Sequence, residues 1–190
     1  MLEFLKSIDE ALLIWLNGFH SPTADQFMVF MSAKLVWIPL YLGLIGYWIW
    51  LFRKKSIIII LGVILTVGAA DFITSGIMKP TFKRLRPCRE AHLSELVHTV
   101  KKCGGKYGYA SSHAANTAAL AMAFLLFAPK RHRYLSWALL LWALTVAYSR
   151  IYLGVHYPGD VITGIIIGYG LAFALYKTLK HTKAFGLKHI

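Results

Sequence analysis

Five apolar stretches, at 35–52, 57–78, 112–128, 135–148 and 161–178, constrain the fold more than any other feature of this chain. A helix needs about 20 apolar residues to cross a hydrocarbon core of about 30 Å, and these stretches reach or approach that length. The fourth is short by itself and is expected to continue helically through Ser149 and Arg150. The pattern predicts an all-α, polytopic membrane helix bundle with about five transmembrane helices. The chain is 57% hydrophobic, which argues against a soluble domain of this size. No repeat, low-complexity tract or interdomain linker interrupts it, so residues 1–190 read as one membrane domain.

Ahead of the first stretch, segment 1–33 carries Glu3, Asp9, Glu10 and Asp25 and has no long unbroken apolar run. Leu2, Leu5, Ile8, Leu12, Leu13 and Leu16 recur at helical spacing. They predict an amphipathic helix lying on the membrane, followed by a second short one after the Ser21-Pro22 break. The first residues lack a basic n-region and a small-residue cleavage site, so no signal peptide is expected.

The formal net charge is +13, which in a soluble chain would suggest nucleic acid. Here the cations fall into short clusters between apolar stretches, and membrane topology explains them without a nucleic-acid partner. Arg53-Lys54-Lys55, Lys130-Arg131-His132-Arg133, and Lys177, Lys180 and Lys183 mark alternate connections as cytoplasmic. That leaves 80–111 and 150–160 on the outer side of a bacterial-type cytoplasmic membrane. The first of these holds Lys83, Arg84, Arg86, Arg89, Lys101, Lys102 and Lys106, against the positive-inside tendency. An anionic ligand is a good reason to keep cations there.

Three clusters at the ends of apolar stretches carry the chemistry. Residues 79–87 read KPTFKRLRP, with Lys79 and Arg86 as cations able to stabilise charge on a phosphoryl group in flight. Ser111-Ser112-His113 precedes an apolar helix. Ser111 is an N-cap signature there, the helix start is a ready anion site, and His113 is placed to protonate a leaving oxygen. Residues 149–160 read SRIYLGVHYPGD, in which Pro158 favours a helix start and puts Asp160 one turn from His156. A carboxylate holding one imidazole nitrogen leaves the other nucleophilic. Each cluster alone has a plainer reading, as headgroup anchor, helix cap or interfacial residue. With five crossings, all three fall on one face of the membrane.

Together the clusters resemble the tripartite signature of the type 2 phosphatidic acid phosphatase superfamily: K-x6-R-P, then P-S-G-H, then S-R-x5-H-x3-D. The first and third parts match fully, while the second departs at Ala110 and Ser112. The resemblance covers 57–178 and implies a six-helix-type bundle core and a lipid phosphatase working through a phosphohistidine, with no metal or other cofactor. It implies His156 as nucleophile, Asp160 as its orienting partner and His113 as general acid. Lys79, Arg86, Ser111, Ser112 and Arg150 would bind phosphate. The substrates implied are lipid phosphates or diphosphates, of undecaprenyl diphosphate, phosphatidylglycerol phosphate, phosphatidic acid or lipid A type. A phosphatase of soluble esters, or a non-catalytic lipid-phosphate binding or transport protein, is the alternative.

Other features are less decisive. Cys88 and Cys103 pair if the compartment is oxidising, and are free thiols otherwise. Asp71, inside an apolar stretch, is expected to make a structural hydrogen bond. His92, Glu95 and His98 fit no strong metal motif. Gly164 and Gly168 form G-x-x-x-G, which suits packing within one chain or between two, so the oligomeric state stays open.

Overall fold

A computed structural model describes residues 2–181. In chain order its helices are α1 (Leu2–Asn17), α2 (Pro22–Met31), α3 (Ile38–Phe52), α4 (Ser56–Asp71), α5 (Lys79–Phe82), α6 (Ser112–Phe127), α7 (Arg133–Tyr152) and α8 (Pro158–His181). Among the described residues the one approach to a sheet is an isolated antiparallel bridge, Leu85 to Tyr107. Lys183, the last member of the third basic cluster, and the side chain of Leu2 lie outside the described residues.

Helix α6 is the axis. Ala114, Ala115, Ala118, Ala119, Ala121 and Ala123 are all buried on it. Small side chains let neighbouring backbones close in, and α8 comes nearest. A Cβ on Gly168 would overlap the Ala115 carbonyl oxygen, and one on Gly164 would overlap that of Ser111. The G-x-x-x-G motif therefore packs α8 on α6 within the chain. The main apolar core lies at the other end of α6, where Phe124 and Phe127 pack with Trp48, Ile59, Leu139 and Ala172.

Among the described residues, three helical stretches are long and apolar enough to cross a membrane: Leu35–Phe82, Lys130–Tyr152 and Pro158–His181. Two of the expected spans lie inside the first of these, which turns at Arg53 (φ 52°). Leu44 and Trp48 of α3 then pack in the same cluster as Ile59 and Val63 of α4. The expected span 112–128 is the 16-residue helix α6, about 24 Å long. The turns at Arg53–Lys55 and Lys130–His132 share one end of the bundle. There the Tyr47 hydroxyl lies 2.5 Å from His132 Nδ1, and the Trp50 and His132 rings are in contact.

At the opposite end the backbone is less regular. After Asp71 the helix widens into a π-helical segment, Phe72–Met78, before α5. Asp71 Oδ1 accepts a hydrogen bond from Asn116 Nδ2 at 3.2 Å, a structural contact between α4 and α6.

The amphipathic segment does more than cover a surface. Phe4, Leu5, Ile8, Leu12 and Trp15 are exposed, but Leu13 is fully buried and Asn17 is 1% exposed. Asn17 Nδ2 donates to the carbonyls of Tyr152 (2.7 Å), Ile151 (3.3 Å) and His98 (3.0 Å), and its Oδ1 accepts from His98 N (2.7 Å). One side chain thus ties α1 to the C-terminus of α7 and to the loop that holds His98, filling carbonyls that the helix end leaves open. Asp25 of α2 accepts from the Tyr152 hydroxyl at 2.6 Å and lies 2.9 Å from His98 Nε2. His92 faces a different acid, Glu10, at 3.4 Å, so the loop histidines do not converge on one point. Cys88 and Cys103 are joined by a disulfide with Cα atoms 5.9 Å apart. Cys88 N donates to Gly154 O at 3.2 Å, which fixes the loop against the turn between α7 and α8.

Candidate active site

Helix α7 stops at Tyr152, and Gly154, at φ 68°, reverses the chain. A side chain at Gly154 would also strike Val97 and the His98 carbonyl. His156 follows in this turn, 2% exposed, and Pro158 starts α8 so that Asp160 falls in its first turn.

Asp160 is fully buried and its oxygens are occupied. Oδ2 lies 3.3 Å from His156 Nδ1 and accepts from Tyr157 N at 3.1 Å, while Oδ1 accepts from Arg84 Nη1 at 3.0 Å. A carboxylate at Nδ1 fixes the proton there and leaves the Nε2 lone pair outward. Arg86 Nη1 points at that nitrogen from 3.1 Å and also donates to Val155 O at 3.0 Å. Burial, reinforced by Arg86, Arg150 and Lys79, holds His156 well below the usual imidazole range, so the ring is neutral. Burial also lowers Arg86 from its ordinary value.

The three clusters meet. Ser111 N donates to the Asp160 carbonyl at 2.9 Å, and Lys79 Nζ donates to Ser112 Oγ at 2.8 Å. Ser111 occupies the N-cap position of α6, yet its hydroxyl makes no capping bond. That hydroxyl, Arg86 Nε and Arg150 Nε are buried donors with no partner in the protein. Buried polar groups are rarely left so, and three near one histidine fit a phosphate oxygen set. Arg150 also reaches Ser32 Oγ. His113 lies in the first turn of α6, on the wall of a cavity of about 420 Å³. Ser32, Lys34 and Asn116 share its polar end, and the walls beyond are apolar, with Trp37, Leu44 and Val63 among them.

Residues outside the expected set complete this arrangement. Arg84 stacks over the Tyr157 ring at 3.7 Å and bridges Asp160 to Asp9, whose Oδ2 accepts from Nη2 at 2.7 Å. Asp9 Oδ1 accepts from Gly159 N at 2.7 Å, satisfying a free donor at the start of α8. Gly108 packs on the His156–Asp160 pair, where an added Cβ would lie 3.1 Å from Asp160 Oδ2. Arg84 lies within the basic stretch but outside the K-x6-R-P spacing, and Asp9 reads as one polar residue on an amphipathic helix.

A profile of the PAP2 superfamily matches residues 56–183. The chain belongs to this superfamily. Among PAP2 proteins, the lipid A 4'-phosphatase of Bacteroides thetaiotaomicron is 40% identical over 171 residues, covering 88% of this chain and 75% of the relative. The lipid A 4'-phosphatase of Porphyromonas gingivalis is 32% identical over 190 residues, covering 96% and 78%. The crystal structure of Aquifex aeolicus LpxE superposes with a TM-score of 0.65 at 27% identity, covering 88% of this chain and 93% of that one. PAP2 membership and the apolar helices mark the chain as a membrane protein.

Proposed function

We propose that this PAP2 protein is an integral membrane phosphatase whose substrate is a lipid phosphate, first of all the 4'-phosphate of a lipid A-type glycolipid. The observation that carries the reading is a buried His156 held by Asp160 and faced by Arg86, with His113 on the wall of a largely apolar cavity. The relatives at 40% and 32% identity support the lipid class.

In this scheme His156 Nε2 attacks phosphorus and the bond to the leaving oxygen breaks. His113 gives its proton to that oxygen, and the product is phospho-His156. A water molecule then attacks phosphorus as His113 takes its proton, and inorganic phosphate leaves with the Nε2 lone pair restored. Lys79, Arg86, Ser111 and Arg150 hold the equatorial oxygens, where charge is greatest during transfer.

The topology that suits this chemistry has five crossings. A straight helix over Leu35–Phe82 would be about 72 Å long, more than twice a hydrocarbon core, so the turn at Arg53 divides it into two spans. Helices α6, α7 and α8 supply the others. The basic turns then face the cytoplasm, the site faces the outer side of the inner membrane, and the exposed apolar face of α1 lies in the outer interface.

The test is phosphate release by detergent-purified protein, with EDTA present, across lipid A, undecaprenyl diphosphate, phosphatidylglycerol phosphate, phosphatidic acid and a sugar phosphate. Release greatest from lipid A is expected. Release from the sugar phosphate alone would replace the lipid reading. In the same assay Asp9→Asn lowers kcat on the order of tenfold, about 1.4 kcal/mol at the transition state, with little change in KM. An unchanged kcat would show that Arg84 holds Asp160 without Asp9.

A further inference from the structure

Ser112 stands where the tripartite signature has glycine, and its side chain does not face the phosphate site alone. Its hydroxyl oxygen lies 2.8 Å from Lys79 Nζ, 2.7 Å from Ser75 Oγ and 2.9 Å from Thr74 Oγ1. A hydroxyl has one proton and two lone pairs, so three partners saturate it. No hydrogen-bonding capacity remains for a phosphate oxygen. Lys79 has three N–H bonds, of which Ser112 and Ser75 (3.0 Å) take two. One is left to point at an anion.

We propose that Ser112 is a positioning residue, which fixes the Lys79 ammonium at the phosphate site through its hydroxyl instead of binding phosphate with it. This rests on the phosphatase reading and gives Ser112 a different role from the phosphate contact expected from the motif. The local backbone is built for it. In the π-helical segment Phe72–Met78 the Lys79 N–H reaches the Thr74 carbonyl five residues back, which stacks Thr74, Ser75 and Lys79 toward α6. Ser112 sits in the first turn of α6 and is 8% exposed, so it meets all three from the facing helix. A free lysine stem has rotamer entropy to lose on binding. Holding the ammonium beforehand removes much of that cost from the binding step.

The experiment is a double-mutant cycle of Ser112→Gly and Lys79→Met, with Ser112→Ala run beside the glycine variant to keep helix propensity. Each protein is checked by thermal unfolding, then read by kcat and KM for lipid phosphate and by calorimetric affinity for inorganic phosphate. With Lys79 present, loss of the hydroxyl is expected to weaken kcat/KM and phosphate affinity by about five- to tenfold. In the Lys79→Met background the same change costs less than about twofold, because there is no ammonium to place. Equal losses in both backgrounds would overturn the proposal and leave Ser112 a packing residue. A wild-type protein that binds phosphate but hydrolyses no lipid would sink the phosphatase reading, while the affinity cycle still decides the role of Ser112.

Discussion

His156→Ala protein, folded and in detergent, forms no phosphoenzyme and releases phosphate at least about 10⁴-fold more slowly than wild type. The size follows from the geometry. In the proposed scheme Nε2, the buried nitrogen that Arg86 faces, is the nucleophile, and Asp160, Tyr157 N and Arg84 are placed to keep it aligned. Alanine leaves those partners in place with nothing to attack phosphorus. A rate within tenfold of wild type would remove the histidine scheme. The wild-type protein also has a distinctive pH dependence. Burial lowers the His156 pKa far below 6.5, so the ring stays neutral where a free imidazole would be half charged. His156 itself is therefore expected to take up no proton between about pH 7 and about pH 5.5. Stability behaves oppositely. Below 6.5 the unfolded chain binds a proton that the folded ring does not, so this contribution is whole above 6.5 and is lost as pH falls toward the folded value.

Gly168→Ala is expected to be the most damaging single methyl in the molecule, and Gly170→Ala, two residues along the same helix, to be silent. The methyl at 168 would overlap the Ala115 carbonyl oxygen and sit 2.9 Å from Ala119 N, while at 170 nothing lies within 4 Å. Both obstacles at 168 are backbone, so no rotamer change relieves them and α8 must move off α6. Overpacking of this kind costs about 1–3 kcal/mol and more where backbone has to shift. Ser111 N holds the Asp160 carbonyl across the same contact, so activity falls with stability. The check is thermal unfolding of both variants in one detergent. Equal midpoints would mean that the helices are not packed in this way.

Much of the site was legible because its chemistry sits at fixed spacings. Lys79 to Arg86 and His156 to Asp160 are short-range patterns, and each places a side chain by local geometry alone. Arg84 and Asp9 were not legible, because their partners lie 76 and 75 positions away and nothing local distinguishes them. The apolar stretches foretold the helices. They did not foretell the π-helical segment, where hydropathy is continuous and the hydrogen-bond register alone changes. The expected helical continuation through Arg150 holds, since α7 runs to Tyr152. The count of crossings was less legible than their positions, because the stretches at 35–52 and 57–78 fold as one nearly unbroken helical run.

The bond between Asp9 and Gly159 joins positions 150 residues apart. During synthesis α1 emerges before α8. A ribosome that has made His156 but not yet α8 carries the proposed nucleophile without the carboxylate beside it, and an Arg84 with one of its two acids missing. Enzymatic activity is thus expected to switch on only once α8 has been made and docks against α6. Chains stalled or cleaved before that point are inert and do not act as weak, unselective phosphatases in the bilayer.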